Sequence, residues 1–273
     1  MRPYSKTRIM QAFDKSAPSY DEYAIFQNEV SDELLNEVKG LNLSGAVVME
    51  FGCGAGTLSS RLAGLGHFKA ALAFDIAKGM ARMTRLRRNG SDNLFVVQAD
   101  IENAPVKKGC VDLAVSNLVF QWIEDYESAF REIALSLKPG GRLLATTLGE
   151  GTFRELRETV EAVFAADGKH VDRSIFHKFT DARLLKEAAR KAGLDIHTRR
   201  RTIVKTYKDI YQFLKSLKKI GVQNSEGLSA LGLGRRGILE KISNEYNKTH
   251  FTEEGIAVTY EVILIDAASP QTG

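Results

Sequence analysis

Three glycines at alternate positions, Gly52, Gly54 and Gly56, follow an apolar run that closes on Glu50 and Phe51. Glycine has no Cβ and accepts positive φ, so a strand ending in such a turn lets backbone approach a ligand closely. The spacing restricts the ligand. A turn that cradles a pyrophosphate reads G-x-G-x-x-G, and counting from Gly52 its third glycine would be residue 57, where Thr57 stands. A nicotinamide oxidoreductase is thereby set aside. Asp75 closes the next apolar run, nineteen residues after Gly56. A carboxylate there can accept from both hydroxyls of a ribose, or can cap the helix that starts near Ala77. Asp100 follows a third run in Gln98-Ala99-Asp100-Ile101-Glu102. Glu50 ends a buried strand and needs a partner, because an unpaired buried carboxylate is costly. After a fourth run come Asn117, Phe120, Gln121 and Trp122, the one tryptophan. Amides beside aromatic rings suit a floor between a cofactor and an acceptor; the bland alternative for Phe120 and Trp122 is core packing. No nucleophile elbow occurs, and the five histidines are scattered.

Short apolar runs alternating with helical periodicity must position these residues. Strands are expected at 46–51, 70–75, 94–97, 111–116 and 141–147, with helices near 57–65, 77–88 and 125–137. Such β-α-β alternation demands crossovers, hence a parallel sheet covered on both faces. Lys138-Pro139-Gly140-Gly141 is expected to end a helix and turn into the strand that follows. Before the glycine turn, Ile9, Phe13, Ala17 and Tyr20 mark one helix and Ile25, Val30, Leu34, Leu35 and Val38 a second. After residue 150 the pattern predicts helices at 152–166, 180–192, 207–220 and 235–248 and strands at 194–206 and 256–267.

The 273 residues, 44% hydrophobic and 26% charged, can bury the core of one domain. Residues 1–45 read as a helical lead-in, 46–150 as a cofactor-binding half, and 151–273 as lid helices with the last two strands. The net charge of +4 is too small for a nucleic-acid coat. Its distribution is uneven, with Arg199, Arg200, Arg201, Lys205, Lys208, Lys215, Lys218 and Lys219 set against Asp209 alone. Arg82, Arg85, Arg87 and Arg88 read as plain helix surface. Two cysteines, one inside the glycine turn, support neither a disulfide framework nor a zinc site. The start Met-Arg-Pro-Tyr-Ser-Lys lacks an apolar signal region and no run of about 18 apolar residues occurs, so a cytoplasmic protein is expected.

The string Glu50-x-Gly52-x-Gly54-x-Gly56 resembles motif I of the class I S-adenosylmethionine-dependent methyltransferases. A narrower resemblance runs through nearly the whole chain. Ala12-Phe13, Ala17, Tyr20-Asp21 and Ala24, then Ser116-Asn117-Leu118 with Gln121-Trp122, Thr146-Thr147-Leu148, Ser216-Leu217-Lys218 with Ile220-Gly221, and Val258-Thr259-Tyr260 are similar to the malonyl-acyl-carrier-protein O-methyltransferases of biotin synthesis. Phe51 departs from the Ala or Leu frequent there, and Lys218-Lys219 is a further departure.

This resemblance implies an α/β, Rossmann-like seven-stranded methyltransferase sheet, mostly parallel, whose last strand inserts antiparallel between the fifth and sixth, with helical lid insertions. It implies S-adenosylmethionine as cofactor, S-adenosylhomocysteine as product, and no metal. The implied cofactor residues are Glu50, Phe51, Gly52, Cys53, Gly54, Gly56, Asp75, Ile76, Asp100, Ile101 and Asn117. Among them Asp100 would face the adenine amino group, Ile101 would cover the ring, and Glu50 would lie near the methionine amino group. The implied reaction methylates the free carboxylate of a malonyl thioester on an acyl-carrier protein or coenzyme A. A carboxylate is ionised at pH 7, so a missing general base is expected. Tyr20, Gln121, Trp122 and Lys218 are candidates for orienting that substrate. Arg199, Arg200, Arg201, Lys215 and Lys219 are candidates for docking an acidic carrier. A monomer without nucleic-acid or membrane partners is expected. The rivals are a methyltransferase for a quinone, phenol or other acid, an RNA methyltransferase, and a catalytically silent cofactor-binding protein.

Overall fold

The computed structural model describes residues 5–65, 68–88, 90–173, 176–221 and 236–271. Its sheet is built from β1 (Val47–Phe51), β2 (Ala70–Asp75), β3 (Leu94–Gln98), β4 (Val111–Asn117), β5 (Leu137–Leu148), β6 (Asp195–Tyr207), β7 (Phe251–Thr252) and β8 (Gly255–Ala268). The strand order is β3-β2-β1-β4-β5-β8-β6. The first five strands pair in parallel, and β8 runs antiparallel between β5 and β6. This is the expected topology. The short β7, which folds back on the start of β8, was not expected.

Central strands buried on both faces explain the continuous apolar runs. Met49, Phe51 and Ala114 point into one core layer with α6 (Tyr126–Ser136) and α8 (Ala182–Lys191). Val48, Leu113 and Val115 point into the other, against α3 (Ile25–Lys39) and α4 (Thr57–Gly64). Helix starts follow the sequence caps: Asp125 accepts from the Ser128 amide, Asp181 from Arg183, and Asp209 from Gln212. Asp209 caps α9 (Ile210–Lys219), so that helix starts three residues later than expected and β6 runs on to Tyr207.

Two other local readings need correction. The first lead-in helix stops at Ser16, giving α1 (Lys6–Ser16), a single 3₁₀ turn through Pro18 and the short α2 (Tyr20–Tyr23). Pro18 has no amide hydrogen with which to continue the ladder. Residues 138–141 are an irregularity inside β5: Leu137 pairs with Val111, pairing resumes at Leu113 with Arg142, and Gly140 sits at φ +73°.

Pairing of β5 with β8 stops at Leu148 and Val262, whereas β6 and β8 stay paired out to Tyr207 and Ile256. The β6–β8 ribbon therefore overhangs the carboxyl ends of the parallel strands. Packed on the overhang are α7 (Arg154–Ala166), α9 and α10 (Arg236–His250), around Phe153, Phe213, Tyr246 and Tyr260. The expected lid material at 222–235 lies outside the described residues. No helix among the described residues is long and apolar enough to cross a membrane.

The sheet is also tied to the lead-in by charge. Glu29, Glu33 and Glu37, one turn apart on α3, pair with Lys205, Arg201 and Arg199 of β6, the last at 2.5 Å. On the other side of β6, Arg200 reaches Glu261 at 3.3 Å and Asp181 at 3.5 Å.

Gly56 shows how tightly the turn region is packed. It sits at φ +87°, and a Cβ there would lie 2.8 Å from the Thr84 Cα of α5 (Lys78–Arg87). Gly45 has a similar φ of +72° with nothing within 4 Å. Gly56→Ala should therefore cost about 2–5 kcal/mol, from left-handed backbone plus overpacking, and Gly45→Ala only about 1–2 kcal/mol. Urea unfolding of the two variants checks this; equal losses would mean that the contact with α5 is relieved.

Candidate functional site

The turn after β1 is set by its neighbours as well as by its own sequence. Gly52 and Gly54 have φ of +68° and +55°, and a Cβ on Gly52 would fall 2.1 Å from Val119 Cγ2. The Gly54 amide donates to Asp75 Oδ2 at 2.9 Å, and its carbonyl accepts from the Thr84 hydroxyl at 2.8 Å. Asp75 Oδ1 accepts from the Ala77 amide at 2.8 Å. Asp75 thus bonds the residue before α5 and does not cap the helix, whose Gly79 amide is met instead by Asp14 Oδ1 at 2.6 Å; its oxygens keep lone pairs free for a further donor.

A cleft of about 800 Å³ opens over this turn. It is bordered by Phe51 at the end of β1 with Gly52 and Gly54 of the turn, by Asp75 and Ile76 at the end of β2, and by Asp100 and Ile101 after β3. Asn117, Leu118 and Trp122 close it from the end of β4. The fit to an adenosyl amino acid rests on the donor and acceptor set: bare backbone, then a carboxylate for a diol, then an acid beside an aliphatic cover for a base.

Not every residue named from sequence lines this cleft. Glu50, Cys53 and Gly56 do not. Glu50 lies behind the turn and accepts from the Ser59 hydroxyl of α4. Cys53 Sγ lies 3.4 Å from Thr84 Oγ1. Asn117 borders the cleft, but its amide donates to the Gln27 carbonyl at 2.9 Å and accepts from Thr146 at 2.7 Å, so it also locks α3 to β4 and β5. Phe120 is a correction: it is fully buried between Phe51 and Phe130, in the core rather than on a floor.

Sequence reasoning missed Lys6, Phe13 and Leu118. Lys6 pairs with Asp100 and with Glu102, each at 2.7 Å, so the first turn of α1 closes over the third-strand acids. Burial works against the Lys6 ammonium, but the hydrogen bonds to Asp100 and Glu102 outweigh it and raise its pKa. Leu118 holds a left-handed φ of 55°, strained for a branched residue, as its amide reaches the Thr146 carbonyl at 3.0 Å. No motif announces that strain. Arg87, expected as plain surface, bonds Thr57 at 2.6 Å and pairs with Asp21 of α2.

A second cavity, of about 480 Å³, adjoins the cleft and shares Phe13, Tyr20, Leu118 and Trp122 with it. Its remaining walls include Phe26, Phe153, Phe179 and Tyr260, and no charged side chain lines it among the described residues. Gln121 borders it, but its amide is occupied: Nε2 donates to the Leu118 carbonyl at 2.7 Å, and Oε1 accepts from Thr147 at 3.0 Å. Burial first, then Asp75 and Asp21, push the Tyr20 phenol well above its ordinary range, so it stays a donor. Lys218 lies on the exposed face of α9 and lines neither space. Lys219 stands over the Tyr23 ring, 5.4 Å from its centroid.

Burial, reinforced by Asp75 and opposed by the Ser59 hydrogen bond, pushes the Glu50 carboxyl up to about 8. Burial also raises Asp75 to about 6, against its bonds from Ala77 and Gly54. Above the ordinary value of 4.5, the folded protein holds a proton at Glu50 that the unfolded chain has released. That stabilisation is present below pH 4.5 and is lost as pH rises through about 8. Glu50→Gln is neutral throughout, so its Tm in ligand-free protein should gain on the wild type as pH rises from about 5 to about 8. A Tm difference that stays flat over that range would show that Glu50 is already ionised.

A family model described as a methyltransferase domain matches residues 49–145. A malonyl-(acyl-carrier protein) O-methyltransferase of Methylovorus sp. is 34% identical over 97% of this chain and 90% of its own length. One from Brevibacillus brevis is 34% identical over 97% of this chain and 96% of its own. Among solved structures, the YcgJ protein of Bacillus subtilis superposes with a TM-score of 0.62 at 17% identity, covering 89% of this chain and 99% of that one. That likeness concerns the fold alone.

Proposed function

Because the chain belongs to the malonyl-(acyl-carrier protein) O-methyltransferase family, we propose that it methylates the free carboxylate of a malonyl thioester on an acyl-carrier protein, with S-adenosylmethionine as donor. One observation carries this reading. The cleft suited to an adenosyl amino acid shares a wall with an aromatic cavity that no acid, base or metal ligand lines among the described residues. Transfer to a phenol, whose proton must leave, calls for a base beside the acceptor; transfer to a carboxylate ionised at pH 7 does not.

When bound, the cofactor supplies a methyl group already activated on a sulfonium. The chain's own contribution is placement and dehydration. Gly52 and Gly54 let backbone close on the donor, Asp75 can hold a ribose diol, and Asp100 with Ile101 can receive the adenine. Tyr20, held protonated, can donate to the acceptor carboxylate without competing as a base. Phe13, Leu118 and Trp122 keep water out of the junction. An anion meeting a cation to give neutral products gains from a dry site, and alignment of the pair lowers the barrier further. The methyl ester would cap the malonyl end for the chain extension that leads to biotin.

The carrier-docking surface is narrower than the sequence implies. Arg199, Arg200 and Arg201 spend their charge on Glu37, on Glu261 and Asp181, and on Glu33. Lys215, Lys218 and Lys219, at i, i+3 and i+4 on α9, are left to meet an acidic carrier. The same internal pairing weakens the case for RNA, which needs a long unneutralised face.

Incubation with labelled S-adenosylmethionine should place a methyl ester on malonyl-carrier protein and leave acetyl-carrier protein unlabelled. Absence of an ester on both malonyl-carrier protein and malonyl-coenzyme A would overturn the reading. Asp75→Asn should raise the Kd for S-adenosylhomocysteine about tenfold, the loss of one charge-assisted hydrogen bond. An unchanged Kd by calorimetry would remove Asp75 from the cofactor site.

A further inference from the structure

A third space, of about 1110 Å³, opens at the surface between the first turn of α3, β6 and α9. It shares Phe26, Gln27, Leu217, Ile220 and Tyr260 with the aromatic cavity, which in turn shares a wall with the cofactor cleft. The three spaces therefore adjoin in series from the surface to the junction of the cleft and the aromatic cavity. Their chemistry changes in order along the way. Lys205, Lys215 and Glu22 border the outer end. Lys205 is paired with Glu29, whereas Lys215 has no ion pair among the described residues. Farther in, the buried Gln27 Oε1 has no hydrogen-bond partner, and the hydroxyls of Tyr207 and Tyr260 lie 2.8 Å apart. The inner end is aromatic and uncharged among the described residues.

We propose that this passage receives the phosphopantetheine arm of the carrier protein, entering at Lys215 and passing Gln27 to present its malonyl end beside Tyr20 and Trp122. The assignment rests on the function proposed above. The arm's chemistry runs in the same order as the passage. Its outer end is a phosphodiester, an anion that a lysine ammonium without a partner can hold. Its middle is an uncharged chain carrying amide N–H groups, and a buried acceptor left without a donor is the group such an amide would satisfy. Its inner end is an acyl thioester, which suits apolar walls. Those walls are fixed in place: the Phe26 ring stacks on Tyr260 with centroids 4.1 Å apart, and the main-chain carbonyl of Gln27 is held by Asn117 at 2.9 Å. That bond from Asn117, a cleft residue, holds the main chain at residue 27, whose side chain carries the orphan acceptor, against the cleft.

Two small acceptors separate the parts of the arm: malonyl-phosphopantetheine, and malonyl-pantetheine, which lacks the phosphate. Lys215→Glu should raise KM about tenfold for the first and less than about twofold for the second, and should weaken calorimetric binding of phosphopantetheine itself about tenfold. Lys218→Glu makes the same charge change outside the passage and should have the smaller effect. Gln27→Leu should raise KM for both acceptors about tenfold. Each variant is first shown to bind S-adenosylhomocysteine; if Gln27→Leu does not, Leu217→Phe, which narrows the passage from α9, takes its place with the same expected rise. Equal effects of Lys215→Glu on the two acceptors, equal losses in Lys215→Glu and Lys218→Glu, or unchanged KM in the inner variant would overturn the route while leaving carboxyl methylation standing. Failure of the wild type to methylate any malonyl thioester would instead overturn the function itself.

Discussion

The carboxylate of Asp75 receives the amide of Gly54 on one oxygen and the amide of Ala77 on the other. Those two bonds join the turn after β1 to the end of β2, and the rest of the site is arranged around that junction. The turn can follow this path only with left-handed glycines, and Val119 and Thr84 leave no volume for a Cβ at Gly52 or Gly56. A buried acid held this way comes at an electrostatic cost, visible in the raised pKa of Asp75 and of Glu50 behind it. Functional sites commonly hold groups in such unfavourable states, supported by packing around them.

A second constraint is how charge is distributed between α3 and β6. Edge strands present open hydrogen-bonding groups, and charged side chains are one way to blunt them. Here the positive charges of β6 face a row of glutamates spaced one turn apart on α3. Such pairs are half-exposed, and each is worth little by itself. Their consequence is more for function than for stability. They fasten the lead-in, which carries Phe26 and Gln27, to the strand that carries Lys205 and Tyr207. They also leave Lys215, Lys218 and Lys219 of α9 without ion pairs among the described residues, Lys215 at the border of the outer space.

The aromatic junction of Phe13 and Tyr20 from the lead-in with Trp122 from the turn after β4 lies between the cleft and the aromatic cavity. Phe13 meets Trp122 edge to face, with centroids 5.6 Å apart. Rings in this arrangement exclude water and keep their positions without hydrogen bonds. That suits a reaction in which opposite charges cancel and no proton is moved.

By itself the sequence determined the strands of a parallel sheet, the glycine turn and the acids at the end of β2 and after β3, because period, spacing and glycine placement are local properties of the chain; the place of the antiparallel last strand and the family came from the resemblance. The resemblance covering residues 12–24 and the segments after 207 named an acceptor class that no composition or spacing could reach. The fate of individual polar groups was decided only in three dimensions. Phe120 and Trp122 are two residues apart, yet one is core and the other lines two cavities. Arg199 to Arg201 look like a free basic patch until α3 sets Glu33 and Glu37 against Arg201 and Arg199. Lys6 reaches Asp100 across ninety-four positions, and Gln27 is left with a buried acceptor, through long-range contacts that leave no periodic trace. A side chain's type states what it can bond; which partner it meets depends on where the fold brings distant segments together.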